Sequence, residues 1–136
     1  VKELLAHPEE KAGGMMTTAF LRFAPSTTVA EAMSLIRKEA EDMDFIYYIY
    51  VVDAENHLLG MISLRELLVA PSQETLAETM DTRVVTVRLD EEKEEIAQNF
   101  AKYGIMALPV VDDANRIKGV IIFKNLLEVV APQLRK

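Results

Sequence analysis

Apolar residues in this chain fall into short blocks with two alternating periods, and the order of blocks occurs twice. Thr28-Val29-Ala30-Glu31 has the form of a capping box, and Val29, Ala32, Met33 and Ile36 follow at helical spacing, which predicts an amphipathic helix. A second such helix is expected to start near Asp90 as its cap, with Glu91, Glu92, Glu94 and Glu95 in its first turns and Ile96, Ala97, Phe100 and Tyr103 as its apolar stripe. Residues 46–52 and 107–111, rich in β-branched and aromatic side chains, each run into an Asp/Asn turn and are answered by another short apolar run, the signature of a hairpin. Residues 64–69 and 124–130 then read as closing helices, ended by Pro71 and Pro132.

Laying one half on the other makes the repetition explicit. Val51-Val52-Asp53 leads through a turn to Gly60-Met61-Ile62, and Val110-Val111-Asp112 leads through a turn of the same length to Gly119-Val120-Ile121, with Gly60 and Gly119 lying 59 positions apart. Upstream, Met16-Thr17 matches Met80-Asp81 at a spacing of 64, which places about five extra residues in the first half, around 42–48. Gly60 and Gly119 fall inside return strands, where a missing side chain permits a bulge or the close approach of a ligand or another backbone. Each half is a strand, a helix, a hairpin and a helix. Two half-length units of this kind are each marginal alone, and one apolar sheet face in each is expected to be buried against the other.

Composition narrows the partners. Half of the 136 residues are hydrophobic, enough for a packed core. A formal charge of −7, with no basic run carrying interleaved aromatics, argues against nucleic acid and leaves cations or basic surfaces as better partners. With no cysteine there is neither a disulfide nor a thiolate metal site. The longest apolar run, 45–52, is far short of the ~20 residues that span a bilayer. A start at Val1, with neither an initiator Met nor a signal-peptide pattern, is what an excised piece of a longer chain would show.

The repeated order, with Gly-hydrophobic-hydrophobic-Ser opening the last helix of the first half, resembles the CBS module, a regulatory fold that usually occurs in pairs. A narrower resemblance lies in His7-Pro8-Glu9-Glu10-Lys11-Ala12-Gly13-Gly14-Met15-Met16-Thr17 and in Ile46-Tyr47-Tyr48-Ile49-Tyr50-Val51-Val52-Asp53. Both strings are similar to the MgtE-type magnesium transporter family, and the resemblance covers essentially the whole chain. It implies an α+β fold of two CBS modules, each a small three-stranded sheet with two main helices, related by a pseudo-twofold axis. Along the sequence the expected division is 1–14 as a linker or helix from a preceding domain, 15–75 as the first module and 76–136 as the second.

The resemblance also implies a non-enzymatic role. In that family the pair forms a homodimer between an acidic helical domain and a C-terminal transmembrane domain, on the cytoplasmic face of the membrane, and Mg²⁺ held by its carboxylates favours a closed pore. Mapped onto this chain, Glu95 stands at an acidic position of the family, Glu128 stands where the closing helix usually has Asp, and Asn125 offers a neutral oxygen. Lys124-Asn125 stands where the family commonly has Asp-Asp, and Gly104 occupies another acidic position, so the cation surface is thinned on this chain's side. CBS pairs also bind adenine nucleotides, for which the first module offers Ser63, Arg65 and Glu66, while the second has Ile122 and Asn125 at the hydroxyl and carboxylate positions. Ser63 serves equally as a plain helix cap, and the start of the acidic helix serves equally as a solvated face favoured by the macrodipole. His7 and His57 lie in a linker and a hairpin turn, without a Ser/Asp partner or a metal-ligand spacing, and read as surface residues. Three functions follow from these residues: a magnesium sensor, an adenine-nucleotide sensor, and a dimerisation block whose ligand sites have drifted.

Overall fold

Among the described residues the alternation of blocks resolves into thirteen short segments, twelve of them helices or strands. The structure is a computed structural model, and it describes residues 11–43 and 46–131. In order they are α1 (Ala12–Met15), β1 (Arg22–Phe23), α2 (Val29–Glu39), a 3-10 turn (Ala40–Asp42), β2 (Tyr48–Val52), β3 (Leu58–Ser63), α3 (Leu64–Val69), α4 (Leu76–Thr79), β4 (Val87–Arg88), α5 (Lys93–Tyr103), β5 (Ala107–Val111), β6 (Ile117–Ile122) and α6 (Phe123–Val130). They form two three-stranded sheets, β1-β2-β3 and β4-β5-β6, each with a parallel first pair and an antiparallel second pair. This is the expected α+β architecture. His7 and the rest of the segment before Lys11, Asp44 and Phe45 in the expected insertion, and Pro132 lie outside the described residues.

By contact the chain groups into two units. One is continuous, Ala19–Val84; the other is built from the two flanks, which among the described residues are 11–18 and 85–131. In the continuous unit Ala32, Ile36, Ile49, Val51, Ile62 and Leu67 share one core, between the sheet and its helices. In the flanking unit Ile96, Phe100, Leu108, Val110, Ile121 and Leu126 do the same. These are the same six places in the repeat. A period of two in the strands and 3.6 in the helices puts equivalent residues on equivalent faces, so one pattern written twice gives one core built twice.

In each unit the last strand is met by the segment that runs into the first strand of the other repeat. In the continuous unit, Asp81 exchanges backbone hydrogen bonds with Met61 on β3, N to O 3.0 and 2.9 Å. In the flanking unit, Thr17 does so with Val120 on β6, at 2.8 and 2.9 Å. The glycines make room for these crossings: a Cβ on Gly60 would lie 2.6 Å from Met80 Sδ and 2.9 Å from the Asp81 carbonyl, and one on Gly119 would lie 2.5 Å from Met16 Sδ. Both features expected of these glycines are present, since the register also shifts between Val51 and Val52 and between Val110 and Val111.

One helix start is set by its local capping residues and the other by tertiary pairing. The Thr28 hydroxyl accepts from the Glu31 N–H at 3.1 Å while the Glu31 carboxylate accepts from the Thr28 N–H at 2.9 Å, a complete capping box. The second acidic helix does not begin at Asp90. Asp90 sits in a turn closed by the Glu91 N–H on the Arg88 carbonyl at 3.1 Å, and the cap is Glu92, whose side chain makes no capping bond. The start is placed by tertiary pairing, because the Ala12 N–H bonds the Glu91 carbonyl at 2.9 Å. Tyr103, expected on the apolar stripe, is 46% exposed. The helix stops there, at Gly104 in the left-handed region (φ 62°), and the three residues after the buried Phe100 are exposed. The extra residues of the first half lie between α2 and β2, at 40–47, opposite only 104–106 in the second.

The face of the β1-β2-β3 sheet opposite Ile49 and Val51 also holds a buried side chain. There Tyr50 is 1% exposed and packs edge-on against Phe20, with ring centroids 5.9 Å apart. Its hydroxyl is buried without a hydrogen-bond partner among the described residues. Burial, with a smaller contribution from the Tyr48 side chain, holds the phenol far above its ordinary range. An unmade hydrogen bond of this kind costs about 1–3 kcal/mol. Tyr50→Phe is therefore expected to raise the unfolding free energy by that much, read as a higher urea midpoint with no change in slope; an unchanged or lower midpoint would show that the hydroxyl is satisfied.

Candidate functional site

The start of each closing helix carries the polar groups expected to meet a nucleotide. Ser63 caps α3: its hydroxyl accepts from the Glu66 N–H at 3.1 Å, and Glu66 accepts from the Ser63 N–H at 3.0 Å. Serine and glutamate are thus brought together, each already engaged with the other's backbone. Arg65 lies between them in sequence and is exposed. At α6 the hydroxyl is missing because Ile122 takes the cap position, and only half of the arrangement survives, with Asn125 Oδ1 accepting from the Ile122 N–H at 3.3 Å.

The residues expected to meet a cation belong to α5 and α6, which pack together through Phe100 and Phe123, 5.4 Å between ring centroids. Glu95 is exposed in the first turn of α5, and its backbone carbonyl accepts from Asn99 Nδ2 at 3.1 Å. Glu128, half-buried on α6, has Lys124 Nζ 3.3 Å from its carboxylate, one turn earlier on the same helix. The ammonium sits where a dication would have to compete with it, and the Asn125 oxygen is held by the backbone. A hard cation that keeps several of its waters fits carboxylates of this kind only loosely. Gly104 carries no acid because its backbone ends α5 in the left-handed region, which glycine adopts without strain.

Elsewhere, Asp53, Glu55 and His57 bring three ligand atoms within 4.8 Å of one another in the turn between β2 and β3. His57 therefore has an acidic partner after all: its Nδ1 lies 2.9 Å from Asp53 Oδ2. The sequence signal was Asp53 four residues ahead of His57 across Asn56, which takes φ 74° and folds the turn back. The second repeat shows what this arrangement does. Asp112 accepts from the backbone N–H groups of Ala114 and Arg116, both at 2.9 Å, and from Arg116 Nε at 3.0 Å, with Asn115 at φ 66°. The imidazole and the guanidinium fasten equivalent turns, so the cluster is a hairpin lock.

These locks give a pH dependence. The His57 backbone N–H, above the side-chain bond, holds Asp53 below the usual carboxylate range; the Arg116 N–H does so for Asp112 and the Arg83 N–H for Asp81. A carboxylate depressed in the folded state contributes stability that is whole above its unfolded pKa, about 3.9, and is lost as pH falls through the lower folded value. Tyr50 acts at the other end. Its proton is held more tightly in the folded chain, so stability falls as pH rises above about 10, where the unfolded chain ionises. A plot of unfolding free energy against pH is expected to be level between these limits and to fall outside them; Asp112→Asn should flatten part of the acid limb.

Comparison with known proteins was decisive at the level of the family. A profile for the CBS domain matches residues 12–72 and again 76–132. The magnesium transporter MgtE of Thermus thermophilus is 40% identical over 129 residues, 95% of this chain and 29% of that protein. The magnesium transporter MgtE of Enterococcus faecalis is 37% identical over 130 residues, 96% of this chain and again 29% of that protein. This chain thus spans less than a third of the length of these relatives. Among solved structures, the cytosolic domain of the Mg²⁺ channel MgtE in complex with ATP superposes with TM-score 0.86 at 41% identity, over 89% of this chain and 49% of that one. The soluble part of a magnesium transporter gives TM-score 0.88 at 36% identity, over 98% and 52%. An inosine-5'-monophosphate dehydrogenase of Nitrosopumilus maritimus is 37% identical over 64% of this chain, which accounts for 18% of that enzyme. No described helix is long and apolar enough to cross a membrane.

Proposed function

Because the chain belongs to the CBS-domain family, with one domain in each half, we propose that it is the cytosolic regulatory part of an MgtE-type magnesium transporter, without catalytic activity of its own. The observation that carries this is likeness to magnesium transporters along nearly the whole chain, 40% identity over 95% of it in one case. In this reading it lies on the cytoplasmic face of the membrane as a homodimer, between an acidic helical domain and a transmembrane domain of the same parent. Glu95 and Glu128, with Asn125 as a neutral ligand, supply its share of a Mg²⁺ site that couples packing to pore opening. Since Lys124 must be displaced from Glu128, the affinity is expected to be weak. A Mg²⁺ titration followed by protease protection and by scattering tests this: protection or contraction that saturates supports it, and no change up to tens of millimolar rejects direct sensing.

A second reading is supported by the ATP held by a structure 41% identical to this one. Ser63, Arg65 and Glu66 then receive an adenine nucleotide, with the Ser63–Glu66 capping box opening to free the hydroxyl and the carboxylate. Calorimetry with AMP, ADP and ATP separates the two readings. Heat that saturates with a nucleotide and vanishes in Glu66→Ala supports this site; absence of heat with all three rejects it. A stable dimer that answers neither Mg²⁺ nor nucleotide would leave the structural dimerisation block.

A further inference from the structure

We infer that residues 11–18 form a detachable strap whose seat is the C-terminal repeat, so that a displacement applied ahead of Lys11 is delivered to 85–131, not to the repeat that follows it in sequence. The strap is held at its two ends. At one, the Ala12 N–H bonds Glu91 O and the Gly13 N–H bonds Leu89 O, both at 2.9 Å, while Ala12 and Met15 are buried in the α5–α6 core. At the other, Thr17 and Val120 exchange two backbone hydrogen bonds over the edge of β6. Between them Met16 covers Gly119, with the space of the missing side chain filled by its Cγ and Sδ.

Four backbone bonds and two buried side chains make up the seat, so the strap opens only transiently, in a minor state from which 85–131 closes again while the strap is still at hand. Opening bares the Val120 N–H and carbonyl and withdraws Met15 and Ala12 from the core they share with Phe100 and Leu126. The positions fixed by this core include the start of α5, because the Ala12 bond is made to the residue before its cap. Moving the strap therefore moves the place where Glu95 stands. The inference is about this chain's mechanics and holds whichever ligand the proposed site takes.

The second repeat of the strap supplies an internal control. Residues 76–81 are tied to the continuous unit by Leu76 N–H to Thr27 O at 2.7 Å, by Ala77 N–H to Pro25 O at 3.0 Å and by the Asp81–Met61 pair. Hydrogen exchange on the full 136-residue chain, read residue by residue by NMR, tests the proposal with two pairs of variants. Gly119→Ala crowds Met16 at its Sδ, Cγ and Cβ, and Met16→Ala empties the seat; each is expected to speed exchange of the Ala12, Gly13 and Thr17 amides at least tenfold while leaving Leu76 and Asp81 unchanged. Gly60→Ala and Met80→Ala should do the reverse. Should Gly119→Ala unfold the chain, Met16→Ala carries the test alone. Equal acceleration at both straps in every variant, or none at 12–17, would overturn the inference.

Discussion

A chain shortened to begin at Ala19 loses the fold of residues 85–131 and keeps that of 19–84. The flanking unit is closed by a piece of chain more than sixty residues away from the rest of it, and that piece is no part of the continuous unit. Deletion removes the buried Met15 and Ala12, worth about 2 kcal/mol for the methionine alone, and four backbone hydrogen bonds at about 1 kcal/mol each. A loss on the order of 5 kcal/mol is comparable with the entire stability of a small domain. It also leaves the β6 edge unpaired beside an open core, an invitation to aggregate. Amide spectra should show dispersed signals for 19–84 and collapsed ones for 85–131. Dispersed signals from both would mean that the strap contributes little, and collapse of both would mean that the continuous unit is not self-sufficient. A fragment comprising only the second sequence repeat, 76–136, lacks the strap too and is expected to fail in the same way.

The tie between residues 11–18 and the second repeat is not legible in the sequence, although most of the fold is. Periodicity located α2, both hairpins and both closing helices, because each buries a stripe or a face whose spacing is fixed by backbone geometry. Glycine at 60 and 119 signals a close approach, and what approaches is the segment at Met80 and Asp81 for Gly60 and the segment at Met16 and Thr17 for Gly119. What escaped was long-range: which repeat each strap joins, and so where α5 starts. Pattern places a cap at the last good capping residue before a stripe, and Asp90 is that residue. Pairing of Ala12 with Glu91 outweighs the preference and moves the start to Glu92, which caps with nothing.

The candidate site was legible in a different measure. Ser63 and Glu66 stand at positions whose spacing announces a cap, and the capping box is there; whether the same atoms serve a ligand depends on an exchange of partners that spacing does not encode. The ion pair of Lys124 with Glu128 was implicit in a spacing of four, the separation that brings side chains together on a helix. The His57–Asp53 contact was missed because it depends on a left-handed residue between them, Asn56, and the turn is bent by that conformation and not by any hydrophobic pattern.

Phe100→Ala should be the most damaging single substitution on α5, costing about 3–5 kcal/mol. The ring is 3% exposed, lies against Phe123 at 5.4 Å and a tilt of 52°, and shares its core with Met15 from the strap. Removing it opens a cavity where three elements meet, and none of them can close in without breaking backbone pairing elsewhere: α5 is fixed at its start by Ala12 and at its end by the Gly104 cap on the Phe100 carbonyl, 2.9 Å. The equivalent Ile36→Ala in the continuous unit removes a smaller side chain and is expected to cost about 2–5 kcal/mol, toward the lower end because Ile36 is slightly more exposed, 6%. Urea titration should show the midpoint falling further for Phe100→Ala than for Ile36→Ala. In the same sample the Thr17 amide should lose protection while Asp81 keeps it, since the cavity undercuts one strap only. A Phe100→Ala unfolding free energy within about 1 kcal/mol of the parent's would mean that α5 is not held on the sheet by this ring.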